Sequence, residues 1–96
     1  MIILNAKITV KTGKREEVIL KMENLIKSTR LESGCISYDL FSSTDDDSVL
    51  MVFEQWESKE ALDSHTQTDH FIAFGKTIKD YLAKEMEIDT YRAEKM

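Results

Sequence analysis

Within residues 54–70 the chain carries its only tryptophan, Trp56, its only two histidines, His65 and His70, and the acid Glu54. Glu54 lies two positions before Trp56, so in an extended segment both side chains leave the same face of a sheet. Phe71 and Phe74 follow on an apolar stripe. Imidazoles titrate near neutral pH and can take or return a proton. An indole and two phenyl rings supply flat apolar wall. Together these residue types point to proton transfer on a small apolar molecule.

The spacing assigns expected roles. A buried carboxylate needs a partner or shifts its pKa upward. Glu54 is therefore expected to pair with His65 or a lysine, and in a working site it orients the imidazole that acts as base. His70 stands just inside a helix start, where the positive end of the helix dipole keeps an imidazole neutral and able to accept a proton. Phe71, Phe74 and Tyr38 are the expected substrate walls, and Trp56 is either a further wall or part of the core. Asn5 either donates to a substrate oxygen or lines an interface. On a continuous helix, residues five apart point roughly 140° away from each other. His65 and His70 are thus not expected to share a metal, and no Cys or carboxylate spacing supplies another site. There is no glycine-rich phosphate loop, no GxSxG and no Cys–His pair. Nucleotide binding and acyl transfer are accordingly set aside.

These residues must be held by a definite set of elements. Residues 2–10 alternate, with Ile2, Leu4, Ala6, Ile8 and Val10 on one face, which predicts a strand with one buried side. Residues 14–31 carry Val18, Ile19, Met22, Leu25, Ile26 and Thr29 at helical spacing, and Gly34 is expected to stop that helix. A second strand is expected over about 35–42, with Ile36, Tyr38 and Leu40 on one face. Thr44–Ser48 makes a turn whose three Asp read as a solvated hairpin tip rather than a cation site. A third strand over about 49–57 returns antiparallel to the second. Ser58 caps a short helix ending near His65, Thr68 or Asp69 caps another with Phe71, Phe74, Ile78, Tyr81 and Leu82, and a last strand spans about 85–92. The order is β-α-β-β-α-β, an α+β ferredoxin-like unit with a four-stranded antiparallel sheet. In the third strand Val49, Met51 and Phe53 point one way and Leu50, Val52 and Trp56 the other. Helices cover one face of such a sheet, so the second apolar face, with Ile3, Phe41 and Tyr91, calls for a partner.

At 96 residues the chain makes one domain, residues 1–96. A net charge of −5, with scattered Lys and Arg, gives phosphates nothing to displace counterions with. Nucleic acid and membrane surfaces are not expected partners. The lone Cys35 excludes an internal disulfide and reads as a small core residue. The N-terminal apolar run is interrupted by Lys7 and lacks a basic lead, so it reads as a strand and not as a signal peptide. A cytoplasmic protein is expected.

The stretch Glu54-x-Trp56, Ser58, Ala61-Leu62, His65, Asp69-His70-Phe71 and Phe74, preceded by Glu32-Ser33-Gly34-Cys35 and Tyr38, resembles the antibiotic biosynthesis monooxygenase family, and within it the quinol-monooxygenase-like branch. The resemblance covers nearly the whole chain. It implies a homodimer built as a dimeric α+β barrel, and oxygen chemistry on a quinol-like aromatic with O₂ and no flavin or metal. Characterised antibiotic-pathway members have an Asn four residues before the Trp and a Tyr six after it; Val52 and Leu62 stand there in this chain. The haem-degrading branch has a helical Trp and, ten residues on, a His. The matching positions here are His65 and Gly75, so haem is not expected. The two-histidine pattern is also similar to a branch that isomerises small phosphorylated metabolites by acid–base chemistry. A non-catalytic ligand-binding dimer would use the same pocket.

Overall fold

The computed structural model describes residues 1–96. The strands are β1 (Ile2–Thr9), β2 (Cys35–Ser42), β3 (Val49–Trp56) and β4 (Glu87–Arg92). The helices are α1 (Arg15–Arg30), α2 (Lys59–His65) and α3 (Asp69–Ile78), and a 3₁₀ turn at Lys79–Tyr81 follows α3. The sheet order is β2-β3-β1-β4, with every pair antiparallel. This is the ferredoxin-like arrangement expected from the sequence, with the second helical layer split into α2 and α3.

The register explains which side chains meet. Leu4 lies opposite Glu54, Ala6 opposite Val52 and Ile8 opposite Leu50, so the even-numbered face of β1 and β3 is the buried one. Onto that face α1 lays Val18, Met22, Leu25 and Thr29, all buried. The odd-numbered face is left uncovered within the chain, and Phe41, Met51 and Tyr91 are exposed there.

Two local expectations change. Gly34 does not stop α1, which ends at Arg30 with Leu31 as its C-cap. It lies in the turn that enters β2, at φ +86°, where glycine alone is unstrained. A Cβ there would sit 2.5 Å from the Ala61 Cβ of α2. Gly34 thus lets the α1–β2 turn press against α2, and its carbonyl accepts the Glu57 amide at 2.8 Å. The second change is at Ile36. Between Cys35 and Ser37 the β2–β3 register slips by one residue, a β-bulge, and Ile36 is exposed rather than aligned with Tyr38 and Leu40. The acidic hairpin tip is held by its own polar groups: Ser43 Oγ accepts the Asp45 and Asp46 amides, and Asp46 Oδ1 accepts from the Ser48 amide and hydroxyl.

The join between α2 and α3 positions the histidines. Ser58 Oγ caps α2 by accepting the Ala61 amide. Thr68 Oγ1 accepts the Phe71 amide at the start of α3 and donates to the His65 carbonyl at the end of α2. One hydroxyl thereby fixes the break between the two helices. No helix is long and apolar enough to cross a membrane.

Candidate functional site

Between the inner face of the sheet and the helices lies a cavity of about 200 Å³. Its walls are mainly aliphatic, with Leu4, Ala6 and Ile8 of β1 on one side, Met22 and Leu25 of α1 above, and Phe71, Phe74 and Gly75 of α3 across. Ile88 and Phe71 are 57% and 36% exposed, which puts them at the mouth. The polar residues on the wall are few: Tyr38, Glu54, His65 and Thr66. No Lys or Arg reaches it.

His65, at the last turn of α2, is 1% exposed. Its Nδ1 lies 2.7 Å from Glu32 Oε2, and His70 Nε2 lies 2.6 Å from the same oxygen. One carboxylate oxygen therefore accepts from two imidazole N–H groups, which fixes both tautomers. For His65 the proton sits on Nδ1, and Nε2 is left as an acceptor with no partner in the protein. The ring lies 4.8 Å from the Trp56 ring at a tilt of 36° and meets Phe71 edge-on at 5.0 Å. Burial holds the His65 pKa below its ordinary value, against the opposing pull of Glu32. The imidazole is neutral at neutral pH, oriented by a carboxylate on one nitrogen, while the other nitrogen is buried without a hydrogen-bond partner.

Glu54 has a different setting. It is 5% exposed, and Oε1 accepts the Trp56 indole N–H at 3.0 Å. No cation pairs with it, and the bond from the indole is its one side-chain hydrogen bond. Burial, reinforced by the Glu32 charge and only partly offset by the indole, pushes its pKa up to about 7. Tyr38 faces Glu54 across the strands, and burial next to both carboxylates drives its phenol well above the ordinary value, so it stays protonated.

The sequence-derived candidates divide accordingly. His65, Glu54, Tyr38, Phe71 and Phe74 line the cavity. Trp56 does not; it is fully buried behind Glu54 and His65, holding both. Asn5 is on the opposite face of the sheet, between Phe53 and Asp89, because odd positions of β1 point away from the helices. His70 is off the cavity and binds Glu32. The expected Glu54–His65 pairing is replaced by Glu32–His65, since Trp56 occupies Glu54. The expectation that the histidines diverge also fails. The chain breaks helix between them, and both rings turn onto Glu32. Those three side chains bring donor atoms within 4.8 Å of one another and form the one group able to share a metal ion. Their N···O separations are those of direct hydrogen bonds.

Glu32 is the residue sequence reasoning missed. It lies in a turn with no periodicity, 33 positions from His65. Glu32 stands in the Glu32-Ser33-Gly34-Cys35 motif that carries the resemblance but had no role assigned there; the further signal was Gly34, whose close approach to Ala61 pins that turn against α2.

The family model described as antibiotic biosynthesis monooxygenase matches residues 1–77. The Synechocystis protein sll1783 is 38% identical over 91 residues, 95% of this chain but 62% of that longer protein. "Probable quinol monooxygenase YgiN" of Escherichia coli is 30% identical over 90 residues, 82% of this chain and 86% of that one. Among solved structures, a conserved protein from Methanosarcina mazei superposes with a TM-score of 0.93 at 33% identity, covering 97% of this chain and 92% of the other.

Proposed function

This chain belongs to the antibiotic biosynthesis monooxygenase family, and from that premise we propose that it oxygenates a small phenol or quinol with O₂, using His65 as the base. The observation that carries this reading is the Glu32–His65 pair on the wall of an otherwise apolar cavity, with Nε2 unpartnered. A quinol held in such a cavity loses its O–H proton to Nε2, and the resulting anion is an electron donor strong enough to reduce O₂. The electrons come from the substrate, so the reading requires no flavin, haem or metal. The protein supplies a base, a dry cavity and protonated donors for developing oxyanions.

Size and charge narrow the substrate. A cavity of roughly 150 Å³ takes up benzene, so about 200 Å³ accommodates one substituted ring. The absence of Lys and Arg from the wall disfavours the isomerisation of a phosphorylated metabolite, whose dianion would enter unpaired. The likeness to a protein named as a quinol monooxygenase supports the same choice.

The reading includes a homodimer joined through the uncovered sheet face, where Ile3, Phe41, Met51, Phe53 and Tyr91 gather. Met51→Asp or Phe53→Asp puts an unpaired charge there and is expected to give monomers or insoluble protein. A wild-type monomer by sedimentation at micromolar concentration would remove the dimer from the reading. A cytoplasmic setting, in keeping with a free Cys35, belongs to the same proposal.

The test is oxygen uptake on a panel of one-ring quinols and phenols. Metal-stripped protein is expected to consume O₂ and form hydroxylated quinone at the same rate as protein before chelation. Turnover unchanged under argon would favour isomerisation instead. Saturable ligand binding without turnover would reduce the protein to a binder. Activity restored only by added metal would move the chemistry to the Glu32–His65–His70 cluster.

A further inference from the structure

Resting on that reading, we propose that Glu54 is the proton donor of the site: an uncharged carboxylic acid at the cavity wall that protonates the peroxide formed from O₂ and then takes the ring proton whose loss breaks the O–O bond. Nothing in the base role of His65 requires this second group. The argument starts from where Glu54 is held. The β3 strand projects it onto the cavity wall, where one of its oxygens accepts the Trp56 indole N–H, the one side-chain hydrogen bond it makes. The titratable neighbours are Tyr38 and Cys35 on β2, Glu32 in the turn before it, and His65 at the end of α2. β1 contributes Leu4, α1 contributes Met22 and Leu25, α3 contributes Phe71 and Phe74, and β4 contributes Met86 and Ile88. None of these carries a positive charge. The one charged neighbour, Glu32, opposes ionisation; burial is the main cause of the pKa of about 7, the indole bond pulls it back in part, and the Glu32 charge adds a smaller push upward.

The proton accounting closes with these two residues. His65 Nε2 takes the quinol O–H proton. The anion passes one electron to O₂, and the radical pair forms a bond between an ortho ring carbon and oxygen, giving a ring peroxide anion. Glu54 delivers its proton to the terminal peroxide oxygen. The Glu54 carboxylate then removes the hydrogen from the same ring carbon. The C–H electron pair becomes the second bond of a new carbonyl as the O–O bond breaks, its electron pair leaving with hydroxide. Hydroxide takes the proton stored on His65 and departs as water. The sum is quinol plus O₂ giving hydroxyquinone plus water, with both side chains restored. Without the acid, the peroxide anion has a poorer route to O–O cleavage, and oxygen is lost as hydrogen peroxide while the quinol leaves as plain quinone.

The decisive variant is Glu54→Gln, which keeps an acceptor for the Trp56 N–H and the side-chain volume but cannot give or take the proton. We expect kcat to fall by roughly 10²-fold with KM nearly unchanged, and the oxygen consumed to appear as hydrogen peroxide in place of hydroxyquinone. The wild-type kcat profile should be bell-shaped, with its alkaline limb near the Glu54 pKa of about 7; in the variant that limb is lost. Independently of turnover, infrared difference spectra of wild type minus E54Q at pH 6 should show the carbonyl band of a protonated carboxyl that disappears as pH rises through that value. If the band is missing, or if E54Q keeps full, coupled turnover with the alkaline limb in place, the assignment is wrong even though the oxygenase reading stands. A band present in a protein that consumes no oxygen with any quinol overturns the oxygenase reading, and this step with it.

Discussion

Two carboxylates sit close to the same cavity and have opposite surroundings. Glu32 lies in a turn, partly open to solvent, and one of its oxygens receives N–H groups from two histidines. Glu54 lies mid-sheet, receives one indole N–H, and has no cation in reach. The first setting joins a carboxylate to two imidazoles and so fixes their rings. The second makes a neutral acid the cheaper state, because burying a lone carboxylate costs several kcal/mol. The residue types are identical, so their roles are set by partners and burial alone. A search for acids and bases by residue type would treat the two alike.

The sharpest break of this contrast is at the imidazole that Glu32 orients. His65→Ala should lower turnover by roughly 10²–10⁴-fold and leave oxygen uptake near background, measured beside melting curves. A loss that merely tracks stability would make the ring structural. Glu32→Ala removes the orienter and leaves the buried His65 N–H unpaired, so it should lose activity and about 1–3 kcal/mol of stability together. Full activity in that variant would separate Glu32 from the chemistry.

At Glu54 the contrast can be read as stability. Its pKa rises from 4.5 to about 7 on folding, and at about 1.4 kcal/mol per unit this is about 3 kcal/mol. A carboxyl raised in the folded state leaves stability intact below 4.5 and withdraws it as pH climbs through about 7. Glu54→Gln should therefore melt higher than wild type at pH 8, and the gap should close towards pH 4.5. Equal melting temperatures at pH 8 would mean that Glu54 ionises without cost. His65 acts in the opposite direction. Its folded pKa lies below the ordinary value, so its share of stability is lost as pH falls from the unfolded value of about 6.5 through the folded one.

The smallest effect belongs to His70. It is a quarter exposed, misses the cavity and shares Glu32 with His65. His70→Ala should cost less than about 1.5 kcal/mol and less than about tenfold in turnover, since Glu32 keeps its bond to His65. A loss as large as that of His65→Ala would show that the two imidazoles work as one unit.

Much of this molecule could be read in the residues themselves. Alternation in β1 fixed which of its side chains face the helices, because a one-residue slip would turn its apolar face to solvent; β3 is apolar on both faces, and its register with β1 assigns them. Helical spacing located α1, and Ser58 and Thr68 marked the two helix starts through capping chemistry that acts within three residues. Glu54 and Trp56 were placed together for the same reason: alternation is local. What the sequence could not provide were relations across long separations. Glu32 reaches His65 over 33 positions and His70 over 38. That convergence depends on Gly34 letting a turn press on α2 and on the helix break that Thr68 holds. The same is true of Glu54, whose carboxylate was visible but whose partner was not. Whether it met an imidazole or an indole decided between an orienter and an acid, and only packing in three dimensions could make that choice.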